Sequence, residues 1–218
     1  MSHSFHLRAD VHPVFVGDDL VMLDVSADRY ICLADAAAGL ALDPARDRLI
    51  VQDPALVDDL AGAGLARAEN GRVCARPDLP RLPQRSALAE AYAPPKTRDA
   101  REAVVALVDV ARCYRGRTFS QIVQAASRPR TSAPRITPAL ETAVTRFHGW
   151  APYAPVSGKC LLRSFMLLRT LRRQGLDALW VFGVRTWPFH AHCWLQCEDT
   201  VLDDPAERIW AYTPIMVV

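Results

Sequence analysis

Bulky apolar residues follow two kinds of spacing, and the change from one to the other divides the chain near residue 79. In the front part the apolar runs are short and bounded by turn residues. Phe5 to Val16, Leu20 to Val25 and Arg29 to Leu33 read as strands, the first two separated by Gly17-Asp18-Asp19. Asp35 to Leu42 and Pro54 to Leu65 carry helix formers instead, the second led by Asp53 as a cap and Pro54 at the first helical position. Three strands followed by helices predict a small α+β module.

Helical spacing dominates the back part. Val104, Leu107, Val108 and Ala111 make Arg98 to Tyr114 an amphipathic helix, and Ala139 to Phe147 reads as another, with the proline-bearing stretch Arg128 to Pro138 as a surface loop between them. Leu161, Phe165, Leu168 and Leu171 share one face of a helix starting near Cys160; Arg172 and Arg173 complement its C-terminal dipole and Gly175 stops it. Leu179 to Val184 has the length of a strand, and His190 to Cys197 with Thr200 to Asp204 predicts a hairpin turning near Glu198-Asp199. Leu79 to Pro95, with Pro80, Pro83, Pro94 and Pro95, favours extended backbone. The expected organisation is a module at 1–78, a linker at 79–97 and a second domain at 98–218.

The chain has 218 residues, 50% hydrophobic and 23% charged, which excludes disordered and collagen-like classes. No apolar run approaches the ~18 residues of a membrane span. His3, His6, Arg8 and Asp10 occupy the start where an export signal needs apolar residues, so a cytoplasmic protein without a membrane partner is expected. Six cysteines, Cys32, Cys74, Cys113, Cys160, Cys193 and Cys197, then read as reduced thiols. The net charge of +2 hides an asymmetry: residues 1–78 carry 7 arginines against 13 carboxylates, and residues 79–218 carry 19 Lys and Arg against 11. Two modules with different partners are implied. The arginines lack any accompanying nucleic-acid fingerprint, and there is no glycine-rich phosphate loop, so neither nucleic acid nor a bound nucleotide is expected.

Cys160 falls at a helix N-terminus, where free N–H groups and the helix dipole stabilise a thiolate and Lys159 adds a positive charge. The plainer reading is a small buried hydrophobe in a first helical turn. A nucleophilic thiol needs a base oriented by a third group. Along a strand at 190–197, His190, His192, Trp194 and Gln196 share one face, and Ala191, Cys193, Leu195 and Cys197 the other. If Cys197 pairs with Val201, Asp204 lies diagonal to His192; a turn one residue tighter presents Asp203 instead. Both carboxylates stay open on this argument. Cys193 and Cys197 stand ~13 Å apart in an extended strand at ~3.3 Å per residue, too far for one ion, and His190 with His192 lacks further ligands, so no metal is expected. Trp150 and Trp194 are site walls or core aromatics, and Cys113 and His148 read as packing or surface.

Lys159-Cys160-Leu161-Leu162-Arg163-Ser164, Leu171-Arg172-Arg173-Gln174-Gly175, Phe182-Gly183-Val184-Arg185, Pro188-Phe189-His190-Ala191-His192-Cys193-Trp194 and Leu202-Asp203-Asp204-Pro205 together resemble the maturation proteases of lasso-peptide biosynthesis, the B proteins of the papain-like transglutaminase superfamily. The resemblance implies Cys160 as nucleophile, His192 as base and Asp204 as orienting acid. The front module resembles the leader-recognition (PqqD-like) element of peptide-modifying enzymes, a winged-helix-like fold of three strands and three helices. There a leader peptide adds as a strand to a sheet edge and lies against a helix. By that likeness Tyr30, Ile31, Cys32 and Leu33, with Leu56, Asp59 and Leu60, would contact the leader, although each reads equally well as an ordinary strand or helix residue.

The resemblance therefore implies an α+β chain in which this recognition module precedes a transglutaminase-like, papain-like cysteine protease domain. Its activity would be that of a peptidase cutting a ribosomally made precursor at the leader–core junction. The core would pass to an asparagine-synthetase-like lasso cyclase that closes a macrolactam. The chain itself binds no cofactor in this picture; ATP enters through the cyclase, and whether cleavage needs either stays open. The alternatives are a transglutaminase-like acyl transferase, which passes the acyl group to an amine, and a non-catalytic leader-binding adaptor.

Overall fold

The computed structural model describes residues 3–52, 54–65, 76–128, 133–155 and 160–218. Asp53, Cys74 and Lys159 lie outside these, as does part of the loop read between Arg128 and Pro138. The chain groups into two compact units, Met1–Leu79 with Val184–His190, and Pro80–Gly183 with Ala191–Val218.

In the first unit the run read as one strand from Phe5 to Val16 is two, β1 (His3–His6) and β2 (Val11–Val16). The break falls at Arg8. Its guanidinium binds Asp10 and the buried Asp24, and its backbone N–H goes to the Leu65 carbonyl, outside any ladder. β3 (Asp19–Asp24) and β4 (Arg29–Leu33) complete an antiparallel sheet in the order β2-β3-β4. The stretch read as a helix over Asp35 to Leu42 forms only a 3-10 turn at Ala36–Ala38 and then β5 (Leu40–Leu42). Alanine propensity is a weak prior; pairing β5 with β6 (Arg48–Val51) buries Leu40 beside Leu49 and Val51, and that burial prevails. A second sheet results, in the order β1-β6-β5.

α1 (Pro54–Gly62) is the one α-helix among the described residues of this unit, and it ends before Gly64, whose φ of +71° suits glycine. The expected three strands and three helices are thus six strands, one α-helix and a 3-10 turn among the described residues. Residues 66–75 lie outside them.

The second unit holds α2 (Thr97–Cys113), α3 (Phe119–Ala126), α4 (Pro138–Trp150), α5 (Cys160–Arg173) and the short α6 (Ala206–Ile209). Its sheet runs β11-β8-β9-β10-β7, built from β7 (Arg85–Ser86), β8 (Leu179–Arg185), β9 (His190–Cys197), β10 (Thr200–Val201) and β11 (Thr213–Val217). The stretch read as a linker is part of this body. β7 pairs in parallel with β10, Gln196 donates to the Arg81 carbonyl and Trp210 to the Pro83 carbonyl. Proline forbids a ladder only at its own missing N–H, so a two-residue edge strand fits between prolines.

α2 is amphipathic with the opposite orientation from the one its apolar stripe implies. Val104 and Val108 are 60% and 39% exposed, whereas Asp99, Ala106, Asp109 and Val110 are buried. The packed face is an ionic seam: Arg146 of α4 binds Asp99 and Glu102 at 3.0 Å, and Arg173 of α5 binds Asp109 at 2.6 Å. Buried carboxylates require such partners, so once α4 and α5 present arginines the acidic face turns inward.

α5 buries Phe165, Leu168 and Leu171 and stops at Gly175, with φ +74°. α3 carries a capping box in which Thr118 and Gln121 satisfy each other's backbone N–H groups. Among the described residues no helix is long and apolar enough to cross a membrane, and the five cysteines are free thiols.

Candidate active site

α5 begins at Cys160, half-buried, with its sulfur at the first turn of the helix. β9 brings His192 to it, and the segment after β10 brings Asp204. His192 Nε2 and Asp204 Oδ2 are 2.7 Å apart, and both side chains are buried. With Nε2 so engaged, Nδ1 is the nitrogen left to face Cys160, and the two groups are close enough that each shifts the other's titration.

The choice between the two aspartates follows from where the ladder ends. Thr200 pairs with Cys197 and Val201 with Gln196, one residue tighter than the Cys197–Val201 pairing. Continued as a flat ladder, that register would present Asp203. The regular pairing stops at Val201, however, and residues 202–204 bend. Asp203 turns its carboxylate to the Leu195 N–H at 2.9 Å, replacing a backbone acceptor, and burial pushes it up to about 7. Asp204 is then free to meet His192. It is held from two further sides, since Ser86 Oγ donates to its carbonyl and Arg208 reaches Oδ1 at 3.3 Å, while His148 Nε2 anchors the preceding bend at 2.9 Å from the Leu202 carbonyl oxygen.

Hydrogen bonding from the Cys193 side chain is the largest influence lowering the Cys160 thiol, to about 4; burial opposes it, and His192 and the Cys193 N–H add to it. Burial pulls His192 down, but Asp204 and Cys160 outweigh it and raise the imidazole to about 9. Asp204 is kept below the usual carboxylate range against its own burial, chiefly by His192. Between these limits the arrangement is a thiolate facing an imidazolium, the form in which sulfur is nucleophilic and a proton is ready for a leaving group.

Trp194 and Tyr212 flank His192, with ring centroids 6.4 and 5.3 Å away. Gly183 makes room for Trp194: a Cβ there would meet the indole at 2.7 Å. Beside the first turn of α5, Leu107, Val110, Tyr114 and Leu162 line part of a mainly apolar cavity of about 460 Å³. Among the described residues no group of three or more His, Cys, Asp or Glu side chains could hold a metal ion.

Of the residues read as leader contacts, Tyr30, Ile31, Cys32 and Leu33 lie on β4, an outer strand of its sheet, paired with β3. Cys32 is exposed, while Ile31 and Leu33 pack against the core. Leu60 is itself a core residue, Leu56 packs on that core and Asp59 is exposed. Trp150 is buried in contact with Phe147. Sequence reasoning passed over Ser86, Arg208, Tyr212 and the part played by His148 and Cys193. Only Arg208 carried a signal, its i+4 spacing from Asp204.

A sequence model of the transglutaminase-like superfamily matches residues 103–217. Over 45 residues the chain is 42% identical to the microcin J25-processing protein McjB of Escherichia coli, a stretch covering 21% of this chain and 22% of that protein. The chain thus spans about a fifth of the length of the curated relative it matches. No solved structure gives a significant match.

Proposed function

The chain belongs to the transglutaminase-like superfamily, and on that premise we propose that it is a cysteine peptidase that binds the leader of a lasso-peptide precursor and cuts at the leader–core junction. The observation that carries this reading is the pair His192 and Asp204, bonded at 2.7 Å, with Cys160 at the first turn of α5 near enough to His192 to share its charge. The local likeness to a microcin-processing protein supports the substrate class.

In this mechanism the Cys160 thiolate attacks the scissile carbonyl carbon, and the electron pair moves onto the carbonyl oxygen. Backbone N–H groups at the start of α5 stabilise that oxyanion. As the tetrahedral intermediate collapses, His192 gives its Nδ1 proton to the departing amine, leaving a thioester on Cys160. Neutral His192 then takes a proton from water, which attacks the thioester and releases the carboxylate and the thiolate. Asp204 holds the ring and its charge throughout. The apolar cavity beside Leu162 would take a substrate side chain, and β4 would receive the leader as an added strand. The released core would go to an asparagine-synthetase-like cyclase, the step that consumes ATP.

The test is mass spectrometry of precursor incubated with wild type and with Cys160→Ala, each with and without cyclase and ATP. Leader release by wild type and not by Cys160→Ala is expected, and release by both would remove the nucleophile from the reading. A product heavier by an amine substrate, in place of the hydrolysed leader, would mark acyl transfer. Leader binding without turnover in any mixture would mark an adaptor.

A further inference from the structure

Cys193 is buried, 3% exposed, next in sequence to the proposed base, and takes no part in the steps above. Adjacent side chains on a strand point to opposite faces, so a neighbour of His192 is normally remote from what His192 touches. Here both influence the thiol of Cys160, and Cys193 is tied to the start of α5 through Ser164, whose Oγ is 3.4 Å from its sulfur and 2.8 Å from the Cys160 carbonyl. Leu195 spends its N–H on Asp203 and its carbonyl on Leu202 N–H. Two residues earlier, the N–H of Cys193 points along the same edge, but the two-residue β10 does not extend that far. That N–H is left on the open edge, and it acts to lower the thiol of Cys160.

The Cys193 side chain is held from behind. Ser164 Oγ is 3.4 Å from its sulfur, donates to the Cys160 carbonyl at 2.8 Å and accepts from Trp180 Nε1 at 2.8 Å. Ser164 and Trp180 are both fully buried. Ser164 has one hydroxyl proton, and the carbonyl is its nearer acceptor. The Cys193 S–H therefore has two acceptors in reach: the remaining lone pair of Ser164 and the sulfur of Cys160. A hydrogen bond to a charged acceptor is roughly twice as strong as a neutral one, so a thiolate at Cys160 takes that proton.

We infer that Cys193 is a positioning residue for the nucleophile, a buried thiol braced by Ser164 and Trp180 that donates its S–H to the Cys160 thiolate. Burial favours the protonated form of Cys193, which keeps it a donor. The charge at Cys160 would then be shared between two donors at 193, the N–H and the S–H, and the imidazolium of His192. Asp203 and the phenol of Tyr114 are the other titratable groups near these thiols. The inference rests on Cys160 being the nucleophile.

The test uses the full chain and no substrate. Iodoacetamide alkylation of Cys160 is followed against pH in wild type, Cys193→Ala and Cys193→Ser, with the modified peptide read by mass spectrometry. The acid limb should move up by roughly one unit in Cys193→Ala, the size of one lost charge-assisted bond, and return most of the way in Cys193→Ser, whose hydroxyl still donates. Cys193→Val also removes the donor while filling the buried volume and should shift the limb in the same direction, which serves if Cys193→Ala does not fold. A low wild-type limb unmoved in the folded variants overturns the role of Cys193 alone. A wild-type limb near the ~8.5 of a free thiol overturns the nucleophile reading and this inference with it.

Discussion

Replacing Asp204 with Asn removes one charge from a contact that is otherwise preserved in shape. In the folded protein His192 Nε2 donates to Asp204 Oδ2 at 2.7 Å, with 2% and 9% of the two side chains exposed, so solvent screens the pair little. Such a bond contributes ~1.5–3 kcal/mol when one partner is ionised and ~1 kcal/mol when both are neutral. The difference, ~0.5–2 kcal/mol, corresponds at ~1.4 kcal/mol per unit to a fall of roughly one unit in the His192 pKa. Arg208 shares the Asp204 charge from 3.3 Å but is mostly exposed, and it changes this little.

His192 should therefore titrate near 8 in Asp204→Asn rather than at about 9. The assay is an NMR titration of the imidazole Cε1–H signals, with His192→Gln identifying the resonance. The sign extends to stability. A histidine whose pKa is raised on folding stabilises the fold fully below its ordinary value of 6.5, and the contribution disappears as pH rises through about 9. The stability lost in Asp204→Asn should accordingly be largest near pH 6 and shrink above pH 9. A His192 midpoint that stays near 9 in the variant would refute the claim that Asp204 holds the proton.

Turnover by wild type should follow a bell: kcat/KM rises through about pH 4 as Cys160 loses its proton and falls through about 9 as His192 loses the proton owed to the leaving amine. An acid limb at ordinary thiol pH would contradict the paired form. Gly183→Ala drives a Cβ to 2.7 Å from the Trp194 indole, and overpacking of this kind costs ~1–3 kcal/mol; thermal melts should show the loss, with activity falling as Trp194 shifts against His192. Thr118→Ala removes the oxygen that caps α3 and should cost ~1 kcal/mol in urea unfolding, while alkylation of Cys160 is unchanged because α3 holds none of the residues that bond it.

What could be read along the chain was whatever depends on neighbours in sequence. The start of α5 at Cys160 and its stop at Gly175 rest on local backbone chemistry, and the apolar run of β8 and the alternation of β9 rest on side-chain period. The capping box at Thr118 and Gln121 was equally local, and α3 could have been found from it.

Tertiary structure decided what depends on a partner elsewhere. Val104 and Val108 face outward because arginines on α4 and α5 draw the acidic side of α2 inward. Leu40 joins a strand because Leu49 and Val51 offer an edge to pair with. Within the proline-bearing stretch, Arg85 and Ser86 join a sheet because β10 leaves its outer edge open. The two aspartates after β10 are chemically alike in sequence, and a pairing rule alone could select either. Asp203 is consumed by the Leu195 N–H at the point where the ladder gives out, and the bend that follows carries Asp204 to His192. Local propensity sets the period of each element. Which side chains meet is set by where a ladder stops and by which buried charge must find its counterion, and neither is a property of any one segment.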